Sequence, residues 1–138
     1  MSLGKDEERY LILQQLQNEA EAIQRKIVEL EIVDSQLEKT IESLEYFKSL
    51  DDGVEALMNL GGGVFAYVDV KNAKKLLVDV GAGVVVEKDV GDAIEFLKKK
   101  RNDIKKSVTN LEQVLQQIAD RARQIQKELA EKSEKEEK

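Results

Sequence analysis

Apolar residues recur along this chain at alternating steps of three and four over two long stretches, and at steps of two over a shorter stretch between them. In the first stretch Leu13, Ala20, Ile27, Asp34 and Ile41 fall at one heptad position, and Leu16, Ile23, Leu30, Leu37 and Leu44 at the other. In the second, Ile94, Arg101, Val108, Leu115, Ala122 and Leu129 share one position, and Leu97, Ile104, Leu111, Ile118 and Ile125 the other. An apolar repeat of 3.5 residues held for so many turns specifies a left-handed supercoiled seam, not the wider stripe of an ordinary surface helix. The pattern predicts helices over 5–50 and 92–133, the first roughly 65 to 70 Å long. Asp51, Asp52 and Gly53 supply a stop for the first, Asp89 and Asp92 a start for the second, and a charged tail, 134–138, follows.

Between the helices the period drops to two and β-branched residues cluster between glycines. Four short strands are predicted, Glu55 to Leu60, Val64 to Val70, Lys75 to Val80 and Val84 to Lys88. Gly61-Gly62-Gly63, the segment Lys71 to Lys74, and Gly81-Ala82-Gly83 separate them, and links this short join only antiparallel neighbours. Two small hairpins over 55–88 cannot bury both of their faces, and isolated hairpins are marginal in water. Their faces and edges call for the same segment of other subunits, closing into a β-barrel. The residues expected to make that assembly are Leu57, Leu60, Val64, Phe65, Val68 and Val70 in the first hairpin. In the second they are Leu76, Val78, Val80, Val84 and Val86. The fold class is therefore α+β, a single domain over 1–138 in which a long antiparallel coiled-coil hairpin carries two β-hairpins between its helices.

Composition narrows the functions available. Of 138 residues 36% are charged and 4% aromatic, which suits narrow seams with charged flanks better than a thick core. The absence of proline leaves long helices unbroken. With no cysteine and no histidine there is no disulfide framework, no thiolate metal site and no histidine base, so neither metal nor cofactor is expected. Met1 to Glu8 lacks the apolar stretch of a signal peptide, and no apolar run of membrane-spanning length follows; a cytoplasmic protein is the expectation. Residues 1–50 carry a net charge of -5 and residues 91–138 a net charge of +2, which favours folding the two arms onto each other. An overall charge of -6 argues against nucleic acid as the main partner.

The remaining motifs read structurally. Neither glycine turn is followed by the Lys-Ser/Thr of a phosphate loop or by a helix, so both read as hairpin turns. The basic run Lys98 to Arg101, with Lys105 and Lys106, is expected to face Glu38, Glu42 and Glu45 across the arms. Asp34 interrupts one seam and Arg101 the other: Asp34 would set register or loosen the middle, Arg101 would reach a glutamate, and Asp34→Leu would raise stability. Carboxylates such as Glu29, Glu31, Glu134, Glu136 and Glu137 have no histidine or cysteine partner, so an enzyme is not expected. Apolar residues at the arm ends, Tyr10 with Leu11, Ile12, Leu13 and Leu16 on one arm and Ile118, Ala122, Ile125 and Leu129 on the other, either close the coiled coil or grip apolar segments of another chain.

Leu60-Gly-Gly-Gly-Val-Phe65 and Val80-Gly-Ala-Gly-Val-Val-Val-Glu-Lys88, followed by Ala93-Ile-Glu-Phe-Leu97, resemble the α class of prefoldin. That resemblance implies a subunit of an α2β4 hexamer, joined to β-type subunits through β-barrels and extending coiled-coil arms. It further implies an ATP-independent holdase that grips unfolded polypeptide at the arm ends and delivers it to a group II chaperonin. The γ type, which forms filaments, shares the same elements, and a filament former or coiled-coil spacer is the alternative.

Overall fold

The computed structural model describes residues 4–51 and 53–137, with side chains through Lys132. The sequence-stop residue Asp52, the N-terminal Met1 to Leu3 and the final Lys138 lie outside the described residues. The order is α1 (Lys5–Ser49), β1 (Val54–Gly61), β2 (Val64–Val70), β3 (Lys75–Gly81), β4 (Val84–Asp89) and α2 (Val90–Glu137). In chain order, two long helices thus flank two small antiparallel β-hairpins.

Local chemistry explains the helix limits. Asp6, Glu7 and Glu8 in the first turn of α1, and Lys48 in its last, complement the helix dipole. The Leu50 amide donates to the Phe47 carbonyl at 3.1 Å, a tight closing turn. Helix α2 begins at Val90, two residues before the expected start, because the Val90 side chain is buried and its amide donates to the Lys74 carbonyl at 2.8 Å. It also continues past residue 133 to Glu137. Beyond Ala130 the chain offers only Glu, Lys and Ser, with neither glycine nor proline to stop it, and Glu and Lys favour helix.

The chain divides into two compact units, Asp34–Asp103 and Met1–Val33 with Ile104–Lys138. Within the first, Ile41, Val90 and Ile94 form a buried cluster against which Leu44, Phe47, Leu76 and Leu97 pack. This small core joins the seam of both helices to the second hairpin through Leu76. The Lys74 ammonium donates to the Lys48 carbonyl at the end of α1, a cation placed at the negative end of a helix. Lys88 and Lys100 lie 5.5 and 5.3 Å from the centre of the Phe96 ring, within cation–π range.

The two hairpins are separate two-stranded sheets built on one plan. Asn59 and Asp79 each precede a register shift, and each side-chain oxygen accepts the amide of the glycine two residues on, Gly61 at 2.9 Å and Gly81 at 2.8 Å. Those glycines have φ of 89° and 129°, where a Cβ is disfavoured. At a constant offset of 20 residues, Leu57, Asn59, Gly61, Gly63, Val64, Asp69 and Val70 recur as Leu77, Asp79, Gly81, Gly83, Val84, Asp89 and Val90. The turn residue Gly62 corresponds to Ala82, which also adopts positive φ.

In the other unit the two helices pack along a seam of their own. Leu16 and Ile125 are buried and Leu13, Ala20, Ile23, Ile27, Leu30, Ile104, Val108, Leu111, Leu115, Ile118, Ala122 and Leu129 are half-buried, as the heptad spacing predicts. Arg9 meets Glu128 and Asp6 meets Lys132, so the helices run antiparallel.

Candidate functional site

Period-two alternation gives each hairpin two unlike faces. In the first, Val54, Ala56, Ala66, Val68 and Val70 are half-buried, while the cross-strand partners Leu57 and Tyr67, with Phe65, face outward. In the second, Leu76, Val78 and Val86 are half-buried, while Leu77 and Val85 face outward. The residues expected from the sequence to make assembly contacts therefore divide between the faces. Val68, Val70, Leu76, Val78 and Val86 lie on the half-buried side, whereas Leu57, Leu60, Val64, Phe65, Val80 and Val84 are exposed. Among the described residues Tyr67 at 78% and Leu77 at 76% are the most exposed of the large apolar residues, and neither belongs to the expected set. Alternation from Phe65 was the signal for Tyr67, and the 20-residue offset from Leu57 the signal for Leu77. Apolar side chains held outward on two-stranded sheets form a surface suited to further β-sheet or side-chain partners.

The ends of the helices present a different arrangement. Arg9 donates from Nε to Glu128 Oε2 and from Nη1 to Asp6 Oδ1, both at 3.2 Å, and Lys132 Nζ reaches the same Asp6 oxygen at 3.2 Å. This three-bond ionic clasp spans α1 and α2. Of the apolar residues expected at the ends, Leu16 and Ile125 are buried at 8% and 7% exposure, and Ile12, Leu13, Ile118, Ala122 and Leu129 are half-buried in the seam. Only Leu11 among them, with neighbouring Tyr10, lies open. The seam at this end is thus closed, with its apolar surface stored beneath half-buried ion pairs.

One flank of the seam in this unit opens into a groove of about 530 Å³. Leu13, Leu16, Leu115 and Ile118 contribute apolar surface, and Ala20, Ala119 and Ala122 leave space where longer side chains would meet. Gln17, Gln24, Gln116 and Gln126 line it alongside a single ionised residue, Glu112. A second cleft is charged instead, being lined by Arg9, Asp120, Arg121 and Glu128 with Ile12, Gln124 and Ile125.

The basic run does not form the ladder expected of it. Among the described residues only Arg101 of that run pairs with an acid of α1, and its main partner is Asp34, with Glu38 at 3.6 Å. Glu42 and Glu45 take no part, because the helix register carries Arg101 to the residue that interrupts the opposite seam. The Asp34 hydrogen bond holds the Arg101 guanidinium above its ordinary value, against partial desolvation, and the charges of Asp34 and Glu38 add to the rise.

The glycine turns keep their hairpin role, and among the described residues no three Asp or Glu side chains converge as a metal site would need. No described helix is long and apolar enough to cross a membrane.

Comparison with known proteins agrees with this architecture. A family model described as prefoldin subunit matches residues 16–135. The chain is 55% identical over 137 residues to prefoldin subunit alpha of Archaeoglobus fulgidus, covering 99% of this chain and 100% of that one. It is 31% identical over 119 residues to prefoldin subunit alpha of Thermofilum pendens, covering 86% and 90% respectively. A solved structure of filamentous PFD from Methanocaldococcus jannaschii superposes with a TM-score of 0.75, covering 83% of this chain and 94% of that chain. At 18% identity that likeness concerns the fold alone.

Proposed function

The chain belongs to the prefoldin family of chaperone subunits, and from that premise we propose that it is an α-type subunit that holds non-native polypeptide without ATP. The observation that carries this reading is the pair of like hairpins with Tyr67 and Leu77 turned outward, a surface that calls for partner strands. β-type prefoldin subunits occupy that surface in an α2β4 hexamer, closing the sheet edges into barrels. The helix ends then act on clients. Tyr10 and Leu11 give first contact, and separation of the ionic clasp uncovers Ile12, Leu13, Leu16, Ile118, Ala122, Ile125 and Leu129. Such contacts are individually weak, and several arms acting on one client add through multivalency while release stays fast. A group II chaperonin receives the client in the cytoplasm, and no cofactor or covalent chemistry takes part.

The test mixes the purified chain with a β-type prefoldin subunit and measures assembly mass together with aggregation of a guanidine-unfolded enzyme. A hexamer that suppresses aggregation is the expected result. No hexamer and no suppression would overturn the reading, and a concentration-dependent ladder of the chain alone would favour a filament former.

A further inference from the structure

Helix α1 carries apolar residues on a second side. Val28 and Ile32 take heptad positions turned away from the seam and are 55% and 54% exposed, whereas Val114 is the one exposed large apolar residue of α2 among the described residues. Two β-branched side chains one turn apart lower helix propensity and gain nothing from water, so the pair calls for a contact that a single chain does not make. Both lie within the unit formed by Met1–Val33 and Ile104–Lys138, where Glu21, Gln24, Arg25, Val28 and Glu29 line a shallow cleft. Arg25 makes no ion pair among the described residues, and Glu29 has only a loose one, with Lys26 at 3.9 Å.

We propose that this patch binds the same patch of a second copy of the chain, the two α1 helices lying antiparallel about a two-fold axis beside Val28. Helix spacing supplies the fit. A side chain that enters a neighbouring helix sits in a hole of four residues spaced i, i+3, i+4 and i+7. Glu21, Gln24, Arg25 and Val28 make one such hole, and Arg25, Val28, Glu29 and Ile32 make the next. With the axis beside Val28, Ile32 of the second copy enters the first hole while its Val28 enters the second, and symmetry repeats both contacts in the other direction. One register thus covers both apolar residues of both copies. The same register brings Arg25 of each copy within a turn of Glu29 of the other, so opposite charges flank the apolar centre, whereas a parallel pair would set like against like. In the assembly proposed above, arms that share one β-barrel platform run parallel, so an antiparallel contact joins chains of two separate assemblies. A single crossing of two helices lies at the small end of specific interfaces, which keeps the contact transient until several arms share it.

The chain contains no cysteine, so single-cysteine variants of the full chain read the register directly. Val28→Cys under mild oxidation with diamide is expected to give a disulfide-linked pair. Arg25→Cys alone, whose two copies stand about 10 Å apart along the axis, should not, while Arg25→Cys mixed with Ile32→Cys should link the two variants to each other. In sedimentation, Arg25→Glu and Glu29→Arg should each weaken pairing at least tenfold, and their equimolar mixture should restore it. All four positions are exposed, so helix content read by circular dichroism should not change. Arg25→Cys that links with itself as readily as Val28→Cys, or a charge-reversed mixture that pairs no better than its parts, overturns the proposal. So does self-association that ignores these substitutions and vanishes with Leu77→Asp, which assigns it to the hairpins. If Val28→Asp leaves pairing intact but lowers suppression of aggregation by the complex with β-type subunits, the face serves clients instead and the proposal falls. The expected pattern of links supports the contact even where that complex suppresses nothing, so this inference and the holding function are tested apart.

Discussion

Asp34 and Arg101, the two residues that interrupt the apolar seams of the two helices, are bonded to each other. Arg101 donates from Nε to Oδ1 at 2.9 Å and from Nη2 to Oδ2 at 3.1 Å, a two-pronged contact with both side chains only 22% exposed. Each polar interruption is thereby answered by the other.

This pairing reverses the effect first expected of Asp34→Leu. Removing one partner leaves a half-buried charge without its counterpart, so Asp34→Leu and Arg101→Leu should each lower the melting temperature. The double variant replaces the pair with an apolar contact and should melt at or above the original. Thermal unfolding of all four proteins by circular dichroism checks the cycle. A single Asp34→Leu variant that melts higher than the original would show that the pair contributes no stability.

The pH behaviour of Arg101 follows from the direction of its shift. A base whose value is raised on folding contributes stability that is fully present below its unfolded value and lost only as pH climbs through the folded one. Because arginine already titrates above the working range and here titrates higher still, the loss of stability in Arg101→Met should not vary through Arg101 ionisation between about pH 6 and 10. Denaturant melts of both proteins across that range provide the measurement, with a slope traceable to Arg101 as the contrary outcome.

The ionic clasp at Arg9, Glu128, Asp6 and Lys132 should tune opening of the helix ends. Pairs that remain partly open to solvent contribute roughly 1 kcal/mol or less each, so Glu128→Gln or high salt should speed amide exchange in the first turns of α1 and leave residues 34–49 unaffected. Under the proposed function, the same change should increase capture of unfolded polypeptide. Exchange mass spectrometry beside an aggregation assay separates opening from holding.

The repeat within the hairpins predicts unequal costs for similar substitutions. Gly62→Ala places alanine at φ 59°, where its counterpart Ala82 already sits at 51°, and should cost about 1 to 2 kcal/mol. Gly81→Ala at φ 129° enters a region kept almost wholly by glycine and should cost up to about 3 kcal/mol. Equal melting temperatures for the two variants would contradict this.

Charge placed on the outward hairpin faces should block assembly without unfolding the helices. Tyr67→Asp or Leu77→Asp removes a contact that full burial of such a side chain makes favourable by about 1.5 to 3 kcal/mol, so partner binding should weaken at least tenfold. Native mass spectrometry with a β-type subunit reads the effect, and hexamers of undiminished yield would place assembly elsewhere.

The seams were legible because a 3.5-residue period depends only on which residues share a helix face. Both hairpins were legible for the same reason, since Gly61 to Gly63 and Gly81 to Gly83 stand where the strand period breaks. What the spacing did not contain was the register between the arms. One heptad choice sends Arg101 to a glutamate and another to Asp34, and the local pattern scores them alike. The grooved flank was hidden as well, because Gln17 and Ala119 are unremarkable separately and acquire meaning only when the antiparallel helices bring them to one side. The extension of α2 to Glu137 was missed because a charged tail resembles a solvated one unless its helix propensity is counted.

The thinness of the core has a consequence for how this protein fails. Among the described residues only Leu16, Ile41, Ala73, Val90, Ala93, Ile94 and Ile125 are buried apolar residues, and no large side chain is wholly enclosed. If much of the remaining apolar surface is covered by neighbouring subunits, stability follows mass action: dilution destabilises the chain much as heat does. Its melting point would then be a function of concentration, and a cell could retire the subunit simply by ceasing to make its partners.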